Sequence, residues 1–515
     1  MAVEKNVGIG RSLEGDDSAE RDARQTQVAT YVARMEISDP DVLRATRAHC
    51  AFRGCAQALR PEHGGNLYHE SFVSEKISCF WSHSWHGGPW TKILTLLLHH
   101  NGLAAVLSGF FAALVAMLLF GLGLLRGIPR NSDAPDMQWS TWSLGSGLLI
   151  AVLVVVFWRS QQLIFLDRIC IDRDDREQKR ASIFSLGGIL KKSKEMLVLW
   201  DSTWSGRLWC VFELAAFLKS QQSSSEKVLL IRPTFLGPCS MVLFFGSFFM
   251  MLPVTTMSFN QSWGPFGLIV RALGALLFVF IAGTFISLAL RAYFRSVERL
   301  LEELRNISVE NCRCACCDLD HTMDGANLLC DREIVKECVS IWFGSLEAFE
   351  ESIRSELSDA MATGLKDRVF TRGWSLSVTT PILWAYFDVA VSWAAAGDVL
   401  WFFLILLDGW VLWFLCGPIY ADYLTFITCR YCRRARSTCG EILKNTGIVL
   451  LGSGGFLVIA GSYVLCQGFI PFEKEWYGAA VFGGSWLTVA TIHLLYKVSR
   501  NKSHSARRYR LGIRS

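Results

Sequence analysis

Charge is scarce in this chain. Only 19% of its 515 residues are Asp, Glu, Lys or Arg, where a soluble domain carries about a quarter. With 51% hydrophobic residues gathered in blocks, the shortage argues against an ordinary water-soluble globule. A secretory leader is also missing: "MAVEKNVGIGRSLEGDDSAERDARQ" is polar and has no apolar core before a cleavage site. The first spanning helix is therefore expected to act as the insertion signal. The net charge of +5 is too small to imply a nucleic-acid partner. No internal repeat with matching broken helices and no filter-like run stands out, although many transporters and channels carry them.

What is present is a series of apolar windows near the 20-residue length that spans a bilayer. They are Gly102–Leu125, Trp139–Trp158, Leu236–Phe259, Phe266–Leu290, Val399–Tyr420, Gly447–Gly468 and Trp476–Tyr496, with Val378–Ala396 weakened by Asp388. Many of the 19 Trp and 34 Phe sit at block edges, as in an aromatic belt. Counting eight spans puts the N-terminus, 159–235, 291–377, 421–446 and the tail on one side. That side holds nearly all Lys and Arg, including "CRYCRRAR" (Cys429–Arg436) and "RRYRLGIR" (Arg507–Arg514). The opposite loops show Arg126, Arg130 and Lys474. The positive-inside rule makes the large segments and both termini cytosolic, and seven spans would leave the basic tail outside. None of the 17 cysteines falls in a predicted outside loop, which suits reduced thiols or metal ligands. Asn260-Gln261-Ser262 is a sequon on the outer side.

The intended architecture is thus a multi-pass α-helical membrane protein with a split cytosolic α/β domain. Residues 1–70 form a polar, partly disordered N-terminal region. Residues 76–100 and 159–235 are the two parts of the domain, separated by a transmembrane hairpin at 102–158. Further hairpins at 236–290, 378–420 and 447–496 enclose a Cys-rich helical segment (291–377) and a basic loop (421–446), and a basic tail (497–515) follows. The domain reads as "KISCFWSHSW" (Lys76–Trp85), helix "PWTKILTLLLHH", strand "LIFLDRICIDRDD" (Leu163–Asp175), helix "IFSLGGILKKS", strand "EMLVLW", helix "RLWCVFELAAFLKS" (Arg207–Ser220) and strand "KVLLIRPTF". Alternating strands and helices predict a parallel sheet covered on both faces, with ligands at the carboxyl ends of its strands.

Four features in this order resemble a TIR (Toll/interleukin-1 receptor) domain, of flavodoxin-like parallel-sheet type. They are Ser-x-Ser after the first strand, "CIDRDD" after the second, "Ser-Lys-x-Met-Leu-Val-Leu" as the third, and "Trp-Cys-x-x-Glu-Leu" in the next helix. The resemblance covers Ile77–Trp85 and Leu163–Phe235. It implies a signalling module that self-associates or meets other TIR-like domains. In one branch of the family it implies NAD cleavage at the nicotinamide–ribose bond. The essential carboxylate there maps onto Glu213, where it would stabilise an oxocarbenium-like ribose. Ser82, Ser84, Trp85, Asp172, Arg173 and Trp209 would line the NAD site. Arg173-Asp174 lacks the Pro-Gly that usually follows, and the usual last helix–strand–helix does not follow the fourth strand. The plainer reading pairs Glu213 with Arg207 or Lys219 at the surface. Ser82 and His83 are adjacent on a strand and so point to opposite faces, against Ser-His catalysis.

Outside the domain, Cys312, Cys314, Cys316, Cys317, His321 and Cys330 gather soft ligands suited to tetrahedral zinc, without the spacing of a standard finger. Reduced cysteines packed in a compact loop are the alternative. "CDREIVKECVSIWFGSLEAFEESIRSEL" (Cys330–Leu357) predicts two amphipathic helices broken at Gly344. The loop Cys429–Cys439 offers arginines to anionic lipid headgroups and cysteines to palmitate, or simple flanking charge. A rival reading, a transporter or channel with the α/β domain as regulatory module, would use Arg271, Asp388 and Asp408 inside the spans.

Overall fold

The computed structural model describes residues 18–60, 65–131, 134–222, 227–256, 264–319, 321–323, 326–327, 329–357, 371–468, 480–493 and 513–514. The Asn260 sequon and most of the basic tail lie outside them. Helices dominate, and one mixed sheet gathers strands from along the whole chain. In chain order the strands are β1 (Arg44–Arg47), β2 (Phe72–Val73), β3 (Ile77–His83), β4 (Ile128–Asn131), β5 (Ala134–Trp139), β6 (Leu163–Phe165), β7 (Ser193–Trp200), β8 (Val228–Pro233), β9 (Thr322–Met323), β10 (Ala326–Asn327) and β11 (Ile513–Arg514). The large sheet runs β11-β8-β7-β3-β6-β1-β2. Its centre, from β11 to β6, is parallel, and β1 and β2 add an antiparallel edge. β4 with β5 and β9 with β10 form separate hairpins.

β3 is central. It pairs with β7 through six register positions, Ile77↔Ser193 to His83↔Leu199, and with β6 at Cys79↔Ile164 and Phe80↔Phe165. Continuous apolar runs suit strands buried on both faces. Met196 to Leu199 are fully buried, as are Ile164 and Phe165, and Phe80 stacks on Phe165 at 5.1 Å.

Several elements depart from the sequence expectation. The second strand is shorter, Leu163–Phe165. Leu166 then starts a helical turn, Asp167–Cys170, because the Asp167 carboxylate accepts the Arg168 N–H (2.7 Å) and the Leu166 carbonyl accepts from Ile169 and Cys170. "IFSLGGILKKS" is covered by two short helices, Arg176–Phe184 and Leu186–Lys192, the first capped by Asp175. The domain's first helix and the first apolar window form one continuous helix, Pro89–Gly121. Nothing at their junction breaks it. Asn101 donates instead to the carbonyls of Val155 (2.9 Å) and Trp158 (3.2 Å), satisfying the open end of the neighbouring helix. The polar stretch before β3 also joins the fold. Helix Ser18–Ala33 docks on helix Asp331–Phe343, where Trp342 donates to the Ala33 carbonyl (2.8 Å).

Three helical stretches are long and apolar enough to cross a membrane: Pro89–Gly121, Leu276–Arg305 and Val399–Arg430. Trp142–Phe157 and Leu236–Leu252 are apolar but shorter. Among the described residues that is fewer than the eight windows expected from the sequence. The window at Val378–Ala396 folds within Arg372–Ala395, where Ser, Thr, Pro381 and Asp388 dilute the hydropathy. Helix Thr438–Gly468 contains side chains outside the described set, and helix 480–493 is shorter than a bilayer span.

The domain and the apolar helices meet backbone to backbone at Thr95. Its hydroxyl donates to the Thr234 carbonyl (2.7 Å) and accepts from the Gly237 N–H (2.9 Å). A Cβ at Gly237 would lie 2.4 Å from the Thr95 nitrogen, so only glycine permits this approach. Thr95→Val leaves two buried groups without partners, at about 1–3 kcal/mol each. It is expected to lower the melting temperature in detergent by several degrees. Thr379→Val, whose hydroxyl serves carbonyls of its own helix, is expected to change it little.

Candidate functional site

The site lies where the parallel strands end. Ser82, one residue before the end of β3, donates its hydroxyl proton to Glu213 Oε2 at 2.5 Å. It accepts from Trp204 Nε1 at 3.1 Å. Glu213 comes from helix Leu208–Gln221, which follows β7. Trp204 comes from the intervening loop, is fully buried and packs at a tilt against Trp200, ring centroids 4.6 Å apart. A strand, a loop and a helix thus converge on one Ser–Glu pair.

This is not the surface pairing of the plainer sequence reading. Lys219 binds the Trp342 carbonyl (2.9 Å) and Gln222 instead. Arg207 acts on Glu213 only as a lesser electrostatic influence. Protein crowds the carboxyl group, and that burial, with the charge of Asp167 adding to it, pushes its pKa up to about 8 against the Ser82 hydrogen bond. Near neutral pH, Glu213 is therefore mostly protonated. A cationic group arriving beside it would draw it into the ionised form.

Around the pair lies a second polar layer. Ser84 is buried. Its hydroxyl hydrogen-bonds with Thr203 Oγ1 (2.6 Å) and its carbonyl accepts from Lys92 Nζ (2.6 Å), and Lys92 itself is fully buried. Burial lowers the Lys92 pKa while the Asp201 carboxylate opposes that shift. Asp201 Oδ1 accepts from the Thr203 N–H at 2.8 Å and from its hydroxyl at 2.5 Å. Its other oxygen lies against Gly87, where any Cβ would clash. Trp85 donates to Asp167 Oδ2 (3.2 Å). The Arg173 guanidinium stands 5.5 Å from the Trp85 ring and 3.7 Å from Asp167, and Arg168 stands 5.8 Å from the same ring. A cationic and aromatic rim thus flanks the half-buried Glu213.

Of the residues expected at the site, Ser82, Ser84, Trp85, Arg173 and Glu213 gather here. Asp172 is engaged elsewhere, with Asn66 (3.1 Å) and the Asp174 N–H (3.0 Å). Trp209 packs edge-on to Phe212, which in turn meets Trp342. His83 meets Asp167 (3.8 Å) and the Trp85 ring (4.4 Å), away from the Ser82 hydroxyl, and burial lowers its pKa to about 4. The sequence reading missed Trp204, Lys92, Asp167, Asp201 and Thr203. The signal for most of them was "DSTWSG" at the carboxyl end of a buried strand, a turn sequence carrying hydroxyls and one indole.

The Cys-rich segment forms a second centre. Cys314, Cys316, Cys317 and Cys330 place all four sulfurs within 4.8 Å of one another, a group able to hold one metal ion. Cys314 and Cys316 are 3.0 Å apart, Cys317 and Cys330 3.6 Å, and Cys316 and Cys330 3.9 Å. The thiols of Cys314 and Cys316 hold Cys330 well below the usual thiol range. His321 Nε2 lies 3.5 Å from Cys317 Sγ, beside the group. Cys312 stands apart and hydrogen-bonds the carbonyls of Ser308 and Ser205.

Among the apolar helices, Asp388 is satisfied on both oxygens. It accepts from Ser140 Oγ (2.5 Å) and from the N–H groups of Ser143 (2.8 Å) and Leu144 (2.9 Å). That arrangement caps the start of helix Trp142–Phe157, so Asp388 reads as a helix-capping group. The side chain of Arg271 lies outside the described residues.

Comparison with protein-family models, curated proteins and solved structures finds no match for this chain.

The Glu213 environment gives a signed pH prediction. Its folded pKa lies above the unfolded value of 4.5, so the folded state holds the extra proton and stability from this group falls as pH rises between the two values. Glu213→Gln mimics the protonated form. The melting temperature of Glu213→Gln minus that of wild type is expected to open from pH 4.5 and level off above pH 8. A wild type more stable than the variant at pH 8.5 would mean that the carboxylate is ionised and paired.

Proposed function

We propose that this chain is a membrane-anchored signalling protein whose TIR-like sheet domain binds NAD and cleaves it at Glu213, and whose sheet domains associate to signal. The observation that carries this reading is the Ser82–Glu213 pair at the carboxyl ends of parallel strands, a carboxyl group held in a ligand position by 2.5 Å hydrogen bonding. The cationic nicotinamide–ribose would favour the ionised carboxylate. The C–N bond then breaks, nicotinamide leaves with the bonding pair, and the carboxylate faces the developing ribosyl cation. Water adds at the vacated carbon and gives up one proton, which Glu213 can accept. Arg168 and Arg173 around Trp85 offer charge-assisted contacts to phosphate.

The eight-span arrangement is part of the same proposal. β3 pairs with β6 across two apolar helices, so the intervening chain leaves and returns. Arg313 bonds Gly206 across the next two helices. Arg291 and Arg295 bond the carbonyls of Tyr431, Arg433 and Cys432 across two more. β11 pairs with β8, which returns the tail to the same side. Each contact calls for an even number of crossings, and together they support eight. The side they share would be cytosolic, with the arginines of Cys429–Cys439 at anionic headgroups. Zinc suits the four-cysteine group, since a Zn–S bond of about 2.3 Å sets sulfur separations of about 3.8 Å in a tetrahedron.

The test is NAD loss by the full-length protein in nanodiscs beside Glu213→Ala at matched loading. Wild type is expected to consume NAD, and the variant to lose about 100-fold or more of the rate. Equal rates in the two would remove Glu213 from the chemistry. No NAD loss at any protein density would leave an association module alone.

A further inference from the structure

The four-cysteine group and the Ser82–Glu213 pair are separate centres that the backbone joins. Arg313, one residue before the first cysteine of the group, donates its N–H to the Gly206 carbonyl at 2.8 Å, and its carbonyl receives the Leu208 N–H at 3.4 Å. This two-way bridge, Arg207 with Arg313, ties the Cys-rich segment in parallel to the loop after β7. Two further ties hold the same loop. The Cys312 sulfur lies 3.6 Å from the Ser205 carbonyl oxygen. Glu303, from the long helix Gly264–Arg305, accepts from Ser205 Oγ (3.3 Å) and Trp200 Nε1 (3.1 Å). The loop they hold contains Trp204, whose indole N–H meets Ser82, and it delivers the first turn of the helix that bears Glu213.

Around the bridge the Cys-rich segment has little regular structure to fix its path. Between Arg305 and Asp331 the described residues form one helical turn, Ala315–Asp318, and two short paired strands, Thr322–Met323 and Ala326–Asn327. A metal ion is the kind of constraint that fixes so short a loop. Its surroundings suit a metal: the Asp331 N–H points at Cys316 Sγ (3.2 Å), the orienting hydrogen bond typical of a metal thiolate. Arg332 grips the Cys312 carbonyl (3.0 Å) and closes the loop from the far side.

We infer that metal held by Cys314, Cys316, Cys317 and Cys330 positions the Asp201–Arg207 loop through the Arg313 bridge, so that the Trp204–Ser82–Glu213 constellation is assembled only when the metal is bound. The four cysteines are positioning residues. This inference takes the Ser82–Glu213 site from the proposed function, but it does not depend on NAD being its substrate.

The experiment uses the full-length protein in detergent and reads two quantities that do not involve NAD: zinc per chain by elemental analysis, and amide exchange in peptides covering Asp201–Phe212. The wild type is expected to retain one zinc per chain after dialysis against a weak chelator. Stripping it with a strong chelator is expected to speed exchange in that peptide at least tenfold, leaving the apolar helices unchanged. Cys317→Ser is expected to do both at once, and the exposed Cys439→Ser neither. Arg313→Pro removes the N–H that holds Gly206 and leaves the thiols in place. It is expected to keep the zinc and still loosen the loop. If Cys317→Ser does not fold, the stripped wild type and Arg313→Pro carry the test. Folded protein without zinc would overturn the inference. So would zinc removal that leaves exchange in Asp201–Phe212 unchanged, or Arg313→Pro with zinc bound and the loop still protected. Loss of NAD turnover with none of these changes would sink the inference while leaving the proposed function intact.

Discussion

The pairing of β3 on both of its edges is the constraint on which the rest of the molecule depends. β3 ends at His83, before the first apolar helix, and its partner β6 begins only after the second. An apolar strand buried on both faces must find backbone partners on both sides. The chain between β3 and β6 is therefore obliged to return to its starting side, whatever its two apolar helices do. The same pairing sets the site, because β3 carries Ser82 to the edge where the loop after β7 and the following helix arrive.

The domain is not a soluble module tethered by a linker. Helix Pro89–Gly121 begins as the sheet's own covering helix and continues without a break into its apolar length. Helix Gly264–Arg305 does the reverse. Its 42 residues extend about 63 Å, twice the hydrocarbon thickness of about 30 Å. Its second half buries Tyr293, Phe294, Val297, Leu300 and Leu304 in the domain core and presents Glu303 to Trp200 and Ser205. Rigid helices shared between core and apolar layer leave the domain little freedom to turn relative to the helices. A movement among the helices would reach the Trp204 loop through Glu303.

The strands were readable because buried parallel strands announce themselves as apolar runs, and "EMLVLW" and "KVLLIRPTF" had no other reading. Ser82 and Glu213 were readable by motif. Trp204, which donates to Ser82, was not, because nothing local says that a tryptophan in a Ser/Gly-rich turn reaches back to a strand more than a hundred residues earlier. The short β6 and the turn at Asp167 were hidden by a side chain bonding its own backbone. β1, β2 and helix Ser18–Ala33 were hidden by polarity: they lie at the rim, where one face suffices. The four-cysteine group was visible in composition, but choosing four ligands from six required the fold. It leaves Cys312 bonded to backbone and His321 beside the group.

The central claim is that one sheet is assembled on one side of a membrane from strands that apolar helices separate. The most direct test places short epitope tags at the N-terminus, in the turn between β4 and β5, and at the C-terminus, and stains cells before and after selective permeabilisation of the plasma membrane. The account predicts that both termini report the same side and the β4–β5 turn the other. Termini on opposite sides, or a turn on the same side as the termini, would contradict it.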